Sequence, residues 1–335
     1  MKNAKILLLI LTIFTLSLSA IFITSCKDKK TENSQIEKDE LALLDVKIRK
    51  DSKNPELYYA RSIVLMERGK LSESLIDIQN AISIRPNEAK YYIQKANSLF
   101  SSGETTLAFS SLQDALKYDS KSTEAYLKTA EIALLLKDYD KTIFNINEAL
   151  KIDKISPKAY YLRGYALKEQ GDTINAVKSY SKAIELKPDY EEPFEELGLL
   201  FALKGDRLAI DYLTSTININ PNNLNASYAL ALFYQEHGMI QKALDLYHNI
   251  LTKNPNHADA LHNVGFINLV NKKSYQDALE LFTKAIESDS TFFQAYYNRG
   301  VTYENLNQKE NAKKDFGKVL EINPNHKLAK EKLKK

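Results

Sequence analysis

The sequence predicts an all-α array of helical hairpins, and three observations carry that expectation. Apolar residues recur at helical spacing in paired blocks separated by short turns. The chain lines up on itself with a period of 34, over segments 55–88, 89–122, 123–156, 157–190, 191–223, 224–257, 258–292 and 293–326. Gly and Pro are scarce, 10 and 8 in 335 residues, which favours long helices joined by short turns.

Each period breaks into the same parts. Pro86, Pro188, Pro221, Pro255 and Pro324 fall near the ends of their segments, where a proline stops the second helix. Gly69, Gly103, Gly171, Gly205 and Gly238 sit in the turn between the two helices, where a left-handed C-terminal residue is expected. Gly164, Gly198, Gly265 and Gly300 recur in the first helix, and Ala81, Ala115, Ala149, Ala183 and Ala285 late in the second. An aromatic recurs near the start of the first helix, as Tyr58, Tyr92, Tyr126, Tyr160, Phe194 and Tyr296. A ring one turn before a small residue is expected to act as a knob beside a hole. Segment 191–223 is one residue short near Asp206 and Arg207, and segment 258–292 one long near Lys272 and Lys273; both changes are expected in the inter-helix turn. Residues 35–54 open with an amphipathic stretch that predicts an N-terminal capping helix, and 327–335 predict a C-terminal cap.

These residues resemble the tetratricopeptide repeat, whose pattern is an aromatic, Leu-Gly and Tyr in the first helix, then Ala-x3-Phe and Pro. Phe194-Leu197-Gly198-Phe201 and Tyr296-Arg299-Gly300-Tyr303 match the first half; Ala176-x3-Tyr180, Ala243-x3-Tyr247, Ala278-x3-Phe282 and Ala312-x3-Phe316 match the second. Trp is absent and Tyr stands in its place. The resemblance covers 55–326 and implies a right-handed superhelical solenoid of eight repeats whose first helices line a groove that binds a partner protein segment. Carried over position by position, the groove candidates are Tyr59, Asn97, Phe100, Glu131, Tyr161, Tyr165, Tyr228, Gln235, His262, Phe266, Tyr297 and Glu304. Aromatic anchors with hydrogen-bonding neighbours suit a peptide-binding surface, although such rings also pack between adjacent helices. The family's chaperone-binding members hold a C-terminal carboxylate with cations and Asn in three successive repeats. Asn263 and Asn298 match singly, without the cations, so no such clamp is expected.

The N-terminus carries a second signal. Lys2 and Lys5 precede an uncharged, mainly apolar run from Ile6 to Ile23, followed by Thr24, Ser25 and Cys26. This order reads as an export signal over residues 1–25, while the 18-residue run also just reaches membrane-spanning length. Cys26 is the only cysteine, and Ile23-Thr24-Ser25-Cys26 resembles a bacterial lipobox. That resemblance implies lipidation of Cys26, cleavage before it and, with Lys27 rather than Asp next, an outer rather than inner membrane. Residues 26–34 are polar and read as a tether.

Charge and chemistry exclude other classes. Formal net charge is +3, or near +1 once Lys2 and Lys5 are removed, so nothing pulls the chain toward nucleic acid. No phosphate loop, nucleophile elbow or His-Glu-x-x-His helix occurs. His257 and His262, with Asp259 between them, straddle a helix start and lack a further soft ligand. Neither a catalytic residue, a cofactor nor a metal is expected. The expectation is a non-catalytic, membrane-anchored envelope scaffold that binds a protein. The alternative is a surface lipoprotein accessory to carbohydrate binding or uptake, since groove aromatics can stack on sugars.

Overall fold

The computed structural model describes residues 30–334, with side chains from residue 40. Cys26, the expected export signal and most of the expected tether lie outside the described residues. Among the described residues are eighteen α-helices and one short π-helical turn, and the fold is an all-α solenoid of helical hairpins. Helix α1 (Lys30–Lys50) takes in residues 30–34, which the sequence assigned to the tether. Neither Pro nor Gly interrupts that stretch.

The chain divides into two compact units, Met1–Pro193 and Phe194–Lys335. In the first, α1 is followed by four hairpins: α2 (Pro55–Glu67) with α3 (Leu71–Ile84), α4 (Ala89–Ser101) with α5 (Thr105–Tyr118), α6 (Thr123–Leu135) with α7 (Tyr139–Ile152), and α8 (Pro157–Glu169) with α9 (Thr173–Leu186). The boundary falls in the first turn of α10 (Glu191–Leu203). The second unit continues with α11 (Leu208–Ile219), α12 (Leu224–Glu236), α13 (Ile240–Lys253), α14 (Ala258–Ile267), α15 (Tyr275–Ser288), α16 (Phe293–Asn305), α17 (Lys309–Ile322) and the short α18 (Lys327–Leu333).

Helix starts follow capping chemistry. The side chains of Asn54, Ser122, Ser156 and Asn223 each accept from a backbone N–H of the first helix they precede, satisfying donors that a helix start leaves open. Imidazoles do the same at two junctions: His257 Nδ1 accepts from the Ala260 N–H at 3.3 Å and His326 Nδ1 from the Ala329 N–H at 3.1 Å. Every inter-helix turn contains one residue of positive φ. Five are the glycines named above, and the others are Lys137, Lys273 and Asn307, at 59°, 54° and 57°. The turn is therefore retained where its glycine is lost, at a local steric cost of roughly 1–2 kcal/mol that packing must offset.

The knob-and-hole expectation needs a correction. A Cβ at Gly164 would lie 2.6 Å from the Tyr180 ring, one at Gly265 2.9 Å from Phe282, and one at Gly300 2.7 Å from Phe316. The ring in each hole comes from the second helix, not from the first-helix aromatic. The first-helix tyrosines turn the other way. Tyr58, Tyr92 and Tyr160 donate their hydroxyls to the carbonyls of Ser52, Pro86 and Lys154, six residues back, at 3.2, 2.8 and 3.3 Å. Each ring clasps the turn that leads into its own helix, a bond the phenolic hydroxyl makes possible.

The two length changes are absorbed in helix ends. The extra residue forms the π-helical turn Asn268–Lys272 at the end of α14, closed when the Ser274 N–H reaches the Asn268 carbonyl at 2.9 Å, as one-residue insertions into helices do. The missing residue shortens α11, whose first turn is tightened by Ala209 N–H to Asp206 O and Ile210 N–H to Arg207 O, at 3.1 and 3.0 Å.

The core runs along the hairpins of each unit. Ile78, Tyr91, Leu112 and Ile132 are fully buried in the first, and Leu213, Phe233, Tyr247 and Phe282 in the second. Each such side chain contributes on the order of 1.5–3 kcal/mol of transfer free energy. No described helix is long and apolar enough to cross a membrane.

Candidate binding face

Side chains three and four apart share a helix face, so the groove-position residues of each first helix lie on one face of that helix. In the first unit these positions are a mixture of phenol rings and paired charges. Tyr59 is half-buried, its ring 5.5 Å from Tyr91 and 5.3 Å from the Lys90 ammonium. Burial raises its pKa, aided by Glu124. Glu56 accepts from Lys90 at 2.7 Å and from the Tyr91 hydroxyl at 2.8 Å. Asn97 is half-buried with its amide 3.5 Å from Gln94, and Phe100 packs against the core beside it.

Glu131 is pinched between Lys128, at 2.6 Å, and Lys158 of the next hairpin. Burial alone would raise its carboxyl pKa; the two ammonium groups outweigh that and hold it below its ordinary value. Tyr161 centres a ring cluster, 6.5 Å from Tyr165, 6.0 Å from Tyr180 and 5.5 Å from Tyr190. The Lys168 ammonium lies 4.3 Å over Tyr165, within cation–π range. Tyr190 was missed by the sequence reading because it sits in the turn after Pro188 rather than on a first helix. The alternating Glu56, Lys90, Glu124, Lys158 and Glu192 at the second residue of successive repeats was the available signal for the charge pairs.

In the second unit the same positions are more deeply engaged. Tyr228 is only 9% exposed; its hydroxyl accepts from Asn263 Nδ2 at 3.0 Å and its ring stacks on His257 at 5.6 Å. Burial pushes its pKa up. Gln235 accepts from the Tyr247 hydroxyl at 3.0 Å. His262 bridges Asn263 and Asn298. Its Nε2 is 2.9 Å from Asn298 Nδ2, an amide donor, so Nε2 accepts and Nδ1 carries the proton toward Asn263 Oδ1 at 3.2 Å. Burial pushes its pKa down to about 4. Asn263 and Asn298 thus belong to a hydrogen-bonded chain running from Gln235 through Tyr247, Asn263 and His262. Phe266 packs against Leu269, Ala278 and Phe282; Tyr297 packs against Phe316 and His326; Glu304 pairs with Lys332. Among the described residues no three His, Cys, Asp or Glu side chains gather as a metal ion would require.

The hairpin geometry, the second-helix ring seated on a first-helix glycine and the left-handed turn repeat through both units. Models of the tetratricopeptide repeat match residues 93–143, 228–291 and 293–326, and a TPR repeat model matches 164–205. These are tetratricopeptide repeats. Over 180 residues the chain is 29% identical to the TPR repeat-containing protein MJ1428 of Methanocaldococcus jannaschii, covering 48% of this chain and 32% of that protein. It is 27% identical to the BBSome complex member BBS4 of Bos taurus, covering 46% of this chain and 30% of that protein. The chain thus spans about a third of the length of these relatives. Among solved structures, the APC/C hetero-tetramer Cut9-Hcn1 superposes with a TM-score of 0.51 at 18% identity, covering 85% of this chain and 56% of that one. A tetratricopeptide repeat protein from Parabacteroides merdae gives 0.51 at 18%, covering 73% and 97%. These two share the fold. Tetratricopeptide repeat proteins generally act as protein-interaction scaffolds, and the repeat fold points to a non-enzymatic role.

Proposed function

We propose that this protein is a non-catalytic scaffold, held to a cell-envelope membrane through lipid on Cys26, that docks a segment of a partner protein on its first-helix face during envelope assembly or regulation. The outer membrane is the preferred address. The cluster of Tyr161, Tyr165 and Tyr190 carries the docking reading. Three half-buried phenol rings on one face offer a partner large contact area at low entropic cost, and the pairing of Glu131 with Lys128 and Lys158 leaves little net charge beside them. The apolar run ending in Thr24-Ser25-Cys26 supports the anchor, since multiple acyl chains give the stable attachment that one does not.

Photo-crosslinking from the membrane of the native host, with a crosslinker at Glu169, tests the docking reading. A captured protein lost in the double variant Tyr161→Ala/Tyr165→Ala is expected; capture unchanged in that variant would refute it. Mass spectrometry of the Cys26 peptide tests the anchor separately, and an unmodified thiol would refute that part alone. Binding on a glycan array, abolished by the same double variant, would instead favour carbohydrate capture.

A further inference from the structure

In four repeats the last residue is a ring that rests on the ring of the fifth residue, a groove position. Ring centroids are 5.5 Å apart for Tyr190 on Tyr161, 5.6 Å for His257 on Tyr228, 4.9 Å for Phe292 on His262 and 5.0 Å for His326 on Tyr297. The last residue also stands immediately before the next helix, where it can cap. The two imidazoles do both. His257 Nδ1 accepts from the Ala260 N–H and His326 Nδ1 from the Ala329 N–H, so a backbone bond holds each ring against its tyrosine.

A helical backbone N–H is a fixed donor, so its partner must be an unprotonated Nδ1. Protonation sets Nδ1–H against that N–H, donor to donor. It also adds positive charge at a helix N-terminus, where the dipole is already positive. Near His257 the charged group is Asp259, on its own helix and itself beside Asp289. That carboxylate favours the cation, but burial outweighs it and lowers the imidazole pKa from its ordinary 6.5. The group facing His257 from α12 is Tyr228, which also feels Glu236. His326 faces Phe293 and Tyr297 of α16, and Lys332, Glu304 and Glu331 act on that tyrosine. In the first unit the corresponding caps are Asn54, Ser122 and Ser156, which do not titrate. All five histidines of the chain lie in the second unit.

We propose that His257 and His326 are acid-released covers over Tyr228 and Tyr297. Neutral, each imidazole is pinned to the helix it caps and closes over a groove phenol. Protonated, it leaves the backbone N–H, swings off the phenol and opens that ring to solvent. Tyr161 has a phenol, Tyr190, as its cover and is unchanged in the same range. His262 stays closed as well, because its cover Phe292 does not titrate. The second unit therefore presents two more groove rings as imidazoles charge, while the first unit's face stays constant. The release itself needs no partner; only the use of the uncovered rings for docking rests on the function proposed above.

The test is hydroxyl-radical footprinting of the full chain in detergent at pH 7.5 and pH 5, read residue by residue by mass spectrometry. Oxidation of Tyr228 and Tyr297, each relative to Tyr161, is expected to rise at least twofold in acid. His257→Asn places at this cap the residue that Asn54 and Asn223 already supply. It should remove the rise at Tyr228 and keep the rise at Tyr297, and His326→Asn should do the converse. Nitrogen-15 NMR of the wild type serves if a variant does not fold, with Nδ1 of both imidazoles expected bare at pH 7.5 and protonated at pH 5. Unchanged relative oxidation, which would mean that the imidazolium stays on the phenol face, overturns the proposal. So does a rise that persists in the matching Asn variant, which would mark general loosening through His262, or Nδ1–H at pH 7.5.

Discussion

Acid should weaken the second unit through His262. This side chain accepts from Asn298 and donates to Asn263, an arrangement that only the neutral imidazole satisfies. Protonation would put a second N–H against the Asn298 amide hydrogens and place a charge in a buried site. The folded pKa is about 4, against an ordinary value of 6.5. Because the folded value is depressed, the unfolded chain binds the proton first as pH falls. The neutral ring's contribution is therefore fully present above pH 6.5 and is lost progressively between 6.5 and 4. At 1.36 kcal/mol per pKa unit the full loss is about 3 kcal/mol, and about 2 kcal/mol is gone by pH 5. Burial lowers the His257 pKa and adds to the effect, whereas burial raises that of Asp259 and opposes it. The variant His262→Gln isolates the one group. Urea unfolding by far-ultraviolet circular dichroism at pH 7 and pH 5 should show the wild type losing about 2 kcal/mol more than His262→Gln. A histidine NMR titration of the folded protein should place His262 well below its ordinary value of 6.5. Titration of His262 near 6.5, or equal acid losses in the two proteins, would refute the reasoning.

Packing predictions follow the same internal logic. Gly300→Ala puts a methyl 2.7 Å from the Phe316 ring and should cost about 1–3 kcal/mol by overpacking. Gly317→Ala, where nothing lies within 4 Å, should instead stabilise α17 by about 0.5–1 kcal/mol; thermal unfolding that moves both variants the same way would contradict the packing. Asp315→Ala strands the half-buried Arg299, which donates to both carboxylate oxygens of Asp315 at 2.8 Å, and should cost about 3 kcal/mol in urea unfolding. Glu73→Ala breaks the exposed pair with Lys70 and should cost less than about 0.5 kcal/mol.

The repeat is legible in the sequence because most copies satisfy the same local rules. A proline ends the second helix, a glycine takes the left-handed turn, and small residues mark close approach. Eight copies average out individual departures such as Thr142, which replaces the usual alanine yet is fully buried, donating to the Asp138 carbonyl at 2.8 Å. Binding-face positions are harder to read. Residue type and period placed Tyr161 and Tyr228 alike, but Tyr161 stays half-exposed in a ring cluster while Tyr228 is buried in a polar chain. Nothing local distinguishes them, because the difference lies in the neighbours: Asn263 and His257 close over Tyr228, and they stand on the following repeat and at its start.

The sequence alone determined the all-α repeat of helical hairpins, since this depends on periodicity and on backbone preferences within a few residues. Tertiary structure decided which ring fills each glycine hole, that the extra residue becomes a π turn rather than a longer loop, and that imidazoles lie against Tyr228 and Tyr297. Each of these depends on contacts between helices, where a side chain's partner is set by three-dimensional register and by competition among neighbours that no linear spacing records.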